Sequence, residues 1–135
     1  MGSWGNRMKI SLDLDGTVWS HKAFFRAFML AMQGSGHKVG ILTAHRDIHR
    51  DADLLLLGKE GFPAPSFFLC RPYQSTDSYA EFKAKTILAE KIDIAFDDCN
   101  FDGNETEKTI HALLGKERHR LFKVTPRFPE NKRYE

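Results

Sequence analysis
Met8, Ile10, Leu12 and Leu14 put apolar side chains at every second position. That alternation predicts a strand over residues 8–14. Phe24, Phe25, Phe28, Met29 and Met32 then recur at helical spacing, predicting a helix near 20–33 that stops at Gly34-Ser35-Gly36. Val39, Ile41 and Leu42 mark a second strand over 38–43, and 47–60 reads as a second helix. Its leucine run at 54–57 implies deep packing. A third strand at 66–70, a third helix at 78–90, a fourth strand at 92–96, a fourth helix at 104–115 and a fifth strand at 120–124 complete the series. Strands alternating with helices predict an α/β fold, a parallel sheet of about five strands with helices on both faces, three layers in all. One domain over 8–125, with terminal extensions at 1–7 and 126–135, is the expected organisation.

Composition narrows this only a little. With 135 residues, 41% hydrophobic and 28% charged, the chain suits an ordinary globular domain. A net charge of +2 gives no general case for nucleic acid or an anionic membrane. The 117–135 tail is more basic, with six Lys or Arg against three Glu, which would favour a polyanion or simply a solvated end. Cys70 and Cys99 form no CxxC pair and no disulfide framework, so a reducing cytoplasm is expected. Residues 1–7 lack a signal-peptide apolar run, and no stretch reaches membrane-span length, so no membrane partner is expected.

The chemistry gathers at predicted strand ends. Asp13 and Asp15 close the first strand, and residues two apart on a strand share a face. Paired carboxylates are costly unless a cation or a shared proton relieves them, and hard oxygen donors suit Mg²⁺. An Asp-Gly turn with no further role is the plainer reading of the same residues. In open parallel sheets, ligands bind beyond the carboxyl ends of the strands. Thr43 arrives there from the second strand, Asp97 and Asp98 from the fourth, and Lys83 or Lys85 from the intervening helix. Carboxylates, a hydroxyl and an ammonium at one mouth make a metal-assisted phosphate site.

In this order the residues resemble the haloacid dehalogenase superfamily of phosphohydrolases. Asp13-Leu14-Asp15-Gly16-Thr17 is similar to its first motif, Thr43 to the second, Lys83 to the third and Asp97-Asp98 to the fourth. The resemblance covers about 13–98 and implies a Rossmann-like core. It makes Asp13 the nucleophile that forms an aspartyl-phosphate, and Asp15 the general acid and then base. It assigns Mg²⁺ to Asp13, the Leu14 backbone carbonyl and Asp97 or Asp98, with Asp97 preferred and the other acid orienting Lys83. Thr43 and Lys83 would bind the phosphoryl oxygens. Beside these motifs, His45, Arg46 and Trp19 are candidates to line the mouth, Trp19 either stacking on a substrate ring or covering the helix. Arg71 would grip a second anionic group or sit solvated in a loop. Cys99, beside two acids, reads as a structural thiol.

Neither the stretch after Thr17 nor 71–82 has room for a cap domain, so an open mouth is expected. That suits a macromolecular phosphoester, and the layout is similar to the capless phosphatase part of phage-type polynucleotide kinases. A nucleic-acid 3′-phosphate is therefore one candidate substrate, and a non-catalytic binding or regulatory domain of the same fold is the alternative class. Receiver domains also gather acids, a Thr and a Lys, but their second acidic element precedes the Thr, whereas Asp97-Asp98 follows the Lys. No GxxxxGK phosphate loop is present.

Overall fold
The computed structural model describes residues 7–99 and 108–127. Its elements alternate: β1 (Lys9–Leu12), α1 (Lys22–Gly34), β2 (Lys38–Arg46), α2 (Arg50–Lys59), β3 (Phe68–Arg71), α3 (Tyr79–Ala89), β4 (Ile94–Asp97), α4 (Ile110–Leu114) and β5 (Leu121–Lys123). The five strands form one parallel sheet in the order β3-β2-β1-β4-β5. The fold is the expected α/β one. Among the described residues, no helix is long and apolar enough to cross a membrane.

Alternating strand residues feed two cores, one on each face of the sheet. Ile10, Leu12, Val39, Ile41 and Phe68 pack with Phe25 and Met29 of α1 and Leu57 of α2. Leu42, Ala95 and Leu121 pack with Ala80, Phe82, Ala84 and Ile87 of α3 and Ile110 and Leu114 of α4. Helices therefore cover both faces, giving three layers. From β1 the chain moves outward through β2 to β3, then returns to place β4 on the other side of β1. Such a reversal opens a crevice at the strands' carboxyl ends, here between β1 and β4. The register sets its depth: Leu12 pairs with Phe96, and the Asp13 N–H donates to the Phe96 carbonyl at 3.0 Å. Asp13 and Asp97 thus leave the sheet side by side.

Several boundaries differ from the expected ones. β1 stops at Leu12, and 14–18 folds as a tight turn in which Asp15 is extended and Gly16 has φ +78°. β2 runs on to Arg46 because β3 continues beside it, Arg46 pairing with Arg71 after a register shift between Thr43 and Arg46, whereas pairing with β1 ends at Ile41. The second helix splits into a 3₁₀ turn at Asp47–His49 and α2 proper. Within the leucine run only Leu57 is fully buried, while Leu55 is 62% exposed, as a helix with one inward face requires. Of the fourth helix, 110–114 is observed, and 100–107 lies outside the described residues. Only 13–21 separates β1 from α1, and 72–78 separates β3 from α3, so neither connection holds a cap.

Candidate active site
The crevice is a cavity of about 260 Å³ whose lining includes Asp13, Asp15, Thr43, Lys83, Asp97 and Asp98. At its floor, carboxylate oxygens of Asp13, Asp97 and Asp98 all lie within 4.8 Å of one another. All three residues are buried. Lys83, also buried, comes from α3 and donates to Asp13 Oδ1 at 2.7 Å and to Asp97 Oδ2. α3 is anchored for this task by a reciprocal cap, in which Ser78 Oγ accepts from Glu81 N–H and Glu81 Oε1 from Ser78 N–H. Lys85 instead points outward, 68% exposed, and pairs with Asp77 at 3.0 Å. Of the two candidate lysines, Lys83 is the one in the site.

Charge dictates what this cluster accepts. Taken formally, three carboxylates against one ammonium leave two negative charges in a buried space. Burial first, then the Asp97 charge, pushes the Asp13 carboxyl well above its usual range, against the pull of Lys83. Burial opposes the charge on Lys83, yet Asp13 and Asp97 outweigh it and hold the ammonium protonated beyond its ordinary value. A divalent cation matches the excess in charge, and an all-oxygen donor set suits Mg²⁺. Asp13, Asp97 and Asp98 are the residues that fit it.

The Leu14 carbonyl, expected at the metal, accepts the Trp19 N–H at 3.1 Å within the turn, while the Leu14 side chain is buried in the core. One metal assignment changes: Asp15 is not in the cluster. The turn carries it toward β2, where its Oδ2 meets His45 Nε2 at 2.7 Å. Asp97 and Asp98 both belong to the cluster. Asp97 binds Lys83 through Oδ2 and accepts the Cys99 N–H at Oδ1, 2.8 Å away, so Asp97 is the acid that orients the lysine. Cys99 reaches back with φ +61°, an uncommon backbone for a residue with a side chain. Asp98 packs against Gly16, where an added Cβ would lie 1.9 Å from Asp98 Oδ2.

The remaining candidates divide. Thr43 is buried at the cavity wall, its Oγ1 accepting the His45 N–H at 3.1 Å. Trp19 does not reach the mouth. It is fully buried beside Phe62, 6.1 Å between ring centres, because the turn folds it under the sheet. Arg46 and Arg71 line the cavity but hold backbone. Arg46 donates to the carbonyls of Pro72, Tyr73 and Ser75 at 2.8–3.0 Å. Arg71 donates to those of Ala44 and Asp77, with its guanidinium 4.4 Å from the Tyr79 ring centre. Cys70 and Cys99 form no disulfide, and burial pushes the Cys70 thiol up.

Two contacts were not anticipated from the sequence. Thr17 donates to Asp13 Oδ2 at 3.2 Å, so each oxygen of Asp13 is held, one by Lys83 and one by Thr17. Asp53, buried in the first turn of α2, accepts from His45 Nδ1 at 2.8 Å. Hydrogen bonds to Asp15 and then Asp53 raise the imidazole pKa to about 10, against the opposing effect of burial. The available signal for Asp53 was its position one turn before Leu57, which places an acid on the buried stripe of a helix. No family model matches the chain, and no curated protein does.

Proposed function
We propose that the protein is a Mg²⁺-dependent phosphomonoester hydrolase that works through an aspartyl-phosphate on Asp13. The observation that carries this reading is the buried cluster of three carboxylates and one ammonium at the sheet's switch point. The order of motifs, which resembles that of the haloacid dehalogenase superfamily, supports it from the sequence side. When bound, the metal would supply charge neutralisation for the phosphoryl oxygens and lower the cost of ionising Asp13.

The chain's own groups divide the rest of the work. Asp13, gripped at both oxygens, attacks phosphorus in line with the departing ester oxygen. An O–P bond to Asp13 forms as the ester P–O bond breaks. Asp15 gives a proton to the leaving oxygen, then takes one from the water that cleaves the aspartyl-phosphate. Lys83 and the Thr43 hydroxyl face the transferred phosphoryl group. With no cap in either of the two short connections, the substrate's remainder projects outward, which suits large phosphoesters, nucleic-acid 3′ ends among them.

The test is a panel of aryl phosphate, phosphorylated metabolites and 3′- or 5′-phosphorylated oligonucleotides, each with and without Mg²⁺. Metal-dependent phosphate release that Asp13→Asn abolishes is the expected result. General acid–base groups contribute about 10²–10⁴-fold, so Asp15→Asn should retain a trace of the rate on an activated ester. Mg²⁺ binding with no release from any ester would instead support a binding domain.

A further inference from the structure
We infer that His45, held by Asp53, is the positioning residue for Asp15, directing this carboxyl toward the departing ester oxygen. The inference rests on the phosphatase reading above. It deepens that reading by adding two residues that the resemblance does not supply. The geometry is a chain of three side chains from three elements. Asp15 comes from the turn after β1, His45 from the end of β2 and Asp53 from α2. Its links are 2.7 Å from Asp15 Oδ2 to His45 Nε2, and 2.8 Å from His45 Nδ1 to Asp53 Oδ2. Burial increases inward along it: the side chain of Asp15 is 32% exposed, His45 27% and Asp53 10%. The inner acid is anchored in the protein and the outer one faces the cavity.

The backbone explains why His45 points this way. The β2–β3 register shifts between Thr43 and Arg46, and such irregularities re-aim side chains. The His45 N–H is held by Thr43 Oγ1, which fixes the ring's origin beside a phosphate-facing hydroxyl. With Asp53 on one ring nitrogen, the ring cannot rotate without leaving a buried carboxylate unpartnered, which is costly. Asp15 Oδ2 is therefore pinned, and the direction of Oδ1 follows from it. When Asp15 gives its proton to the ester oxygen, the charge left on the carboxylate develops against an existing N–H donor. His45 keeps its own ring protons throughout, so no other group must accept or supply one.

An ester with a poor leaving group needs that proton, whereas a nitrophenolate leaves without it. The expected outcome is that His45→Asn and Asp53→Asn lower kcat on an alkyl phosphate by about 10²-fold, and on 4-nitrophenyl phosphate by about tenfold or less. A residue that only supports the fold would slow both esters alike, so equal losses in an active, folded variant would overturn the inference alone. A wild-type protein that hydrolyses neither ester would overturn the phosphatase reading and this one with it. The proton spectrum of the metal-free protein supplies a second readout. Two hydrogen-bonded imidazole N–H signals are expected, with one lost in Asp53→Asn. Their absence from the wild type would overturn the bridge itself, whatever the kinetics.

Discussion

Burying Lys83 against Asp13 and Asp97 takes three charges out of water, and the ammonium is what offsets the repulsion between the acids. Removing one partner of a buried ionic group is typically worth about 3–5 kcal/mol of lost stability, because the others stay buried and unpaired. Lys83→Met should therefore destabilise the metal-free protein by about that much, as measured by urea unfolding. Asp13→Asn acts in the other direction. It deletes one of the excess negative charges and keeps the shape, so its unfolding midpoint should equal or exceed that of the wild type. A wild-type midpoint for Lys83→Met would mean that the three acids do not share this lysine. The four motif residues were readable in the sequence because each is tied to the end of an element by its chemistry. Asp53 was harder to read, since a single acid in a helix's first turn is ordinary surface chemistry and only its place one turn before Leu57 marks the inward face.

At the scale of elements, alternation and helical spacing were enough to place all five strands and the helix between each pair. Their ends were less legible. β2 exceeds its apolar run by three residues, because pairing with β3 extends the ladder over polar side chains that no periodicity marks. The pair Asp13 and Asp15 was read as one strand face, yet the turn at 14–18 parts them, one toward Lys83 and one toward His45. Gly16 makes that turn possible twice over, through its φ of +78° and by leaving room for Asp98. Gly16→Ala should cost about 1–2 kcal/mol for the left-handed backbone alone. It should also weaken Mg²⁺ binding, because Asp98 must shift to admit the methyl group. A calorimetric titration with Mg²⁺ beside a denaturant curve separates the two effects, and unchanged affinity would remove Asp98 from the metal site.

For the whole molecule, the acid cluster makes stability depend on pH and on metal in opposite senses. In the metal-free protein the Asp13 carboxyl titrates above its unfolded value of 3.8. Its stabilising contribution is complete below that value and is lost as pH rises through the raised one, because the native state holds the proton longer. A dication favours the ionised form, so its benefit should grow over the same interval. At about a hundred times its dissociation constant, Mg²⁺ should add about 2.7 kcal/mol, and a chelator should remove it. Thermal melts across that interval, with and without Mg²⁺, check both signs. The order of elements implied the parallel sheet, but that the first and fourth strand ends meet follows from the strand order, which only the structure shows.

Arg46 ties the stretch after β3 to the end of β2 through three carbonyls, one residue beyond His45. A protein engineer wishing to graft a switchable shutter over the cavity would find that stretch the most tempting splice point. Lengthening it would unfasten the guanidinium and slacken the strand tip that presents the imidazole. The scaffold thus couples any remodelling of its rim to the aim of the Asp15 carboxylate, and a shutter brought in from a separate chain would avoid that penalty.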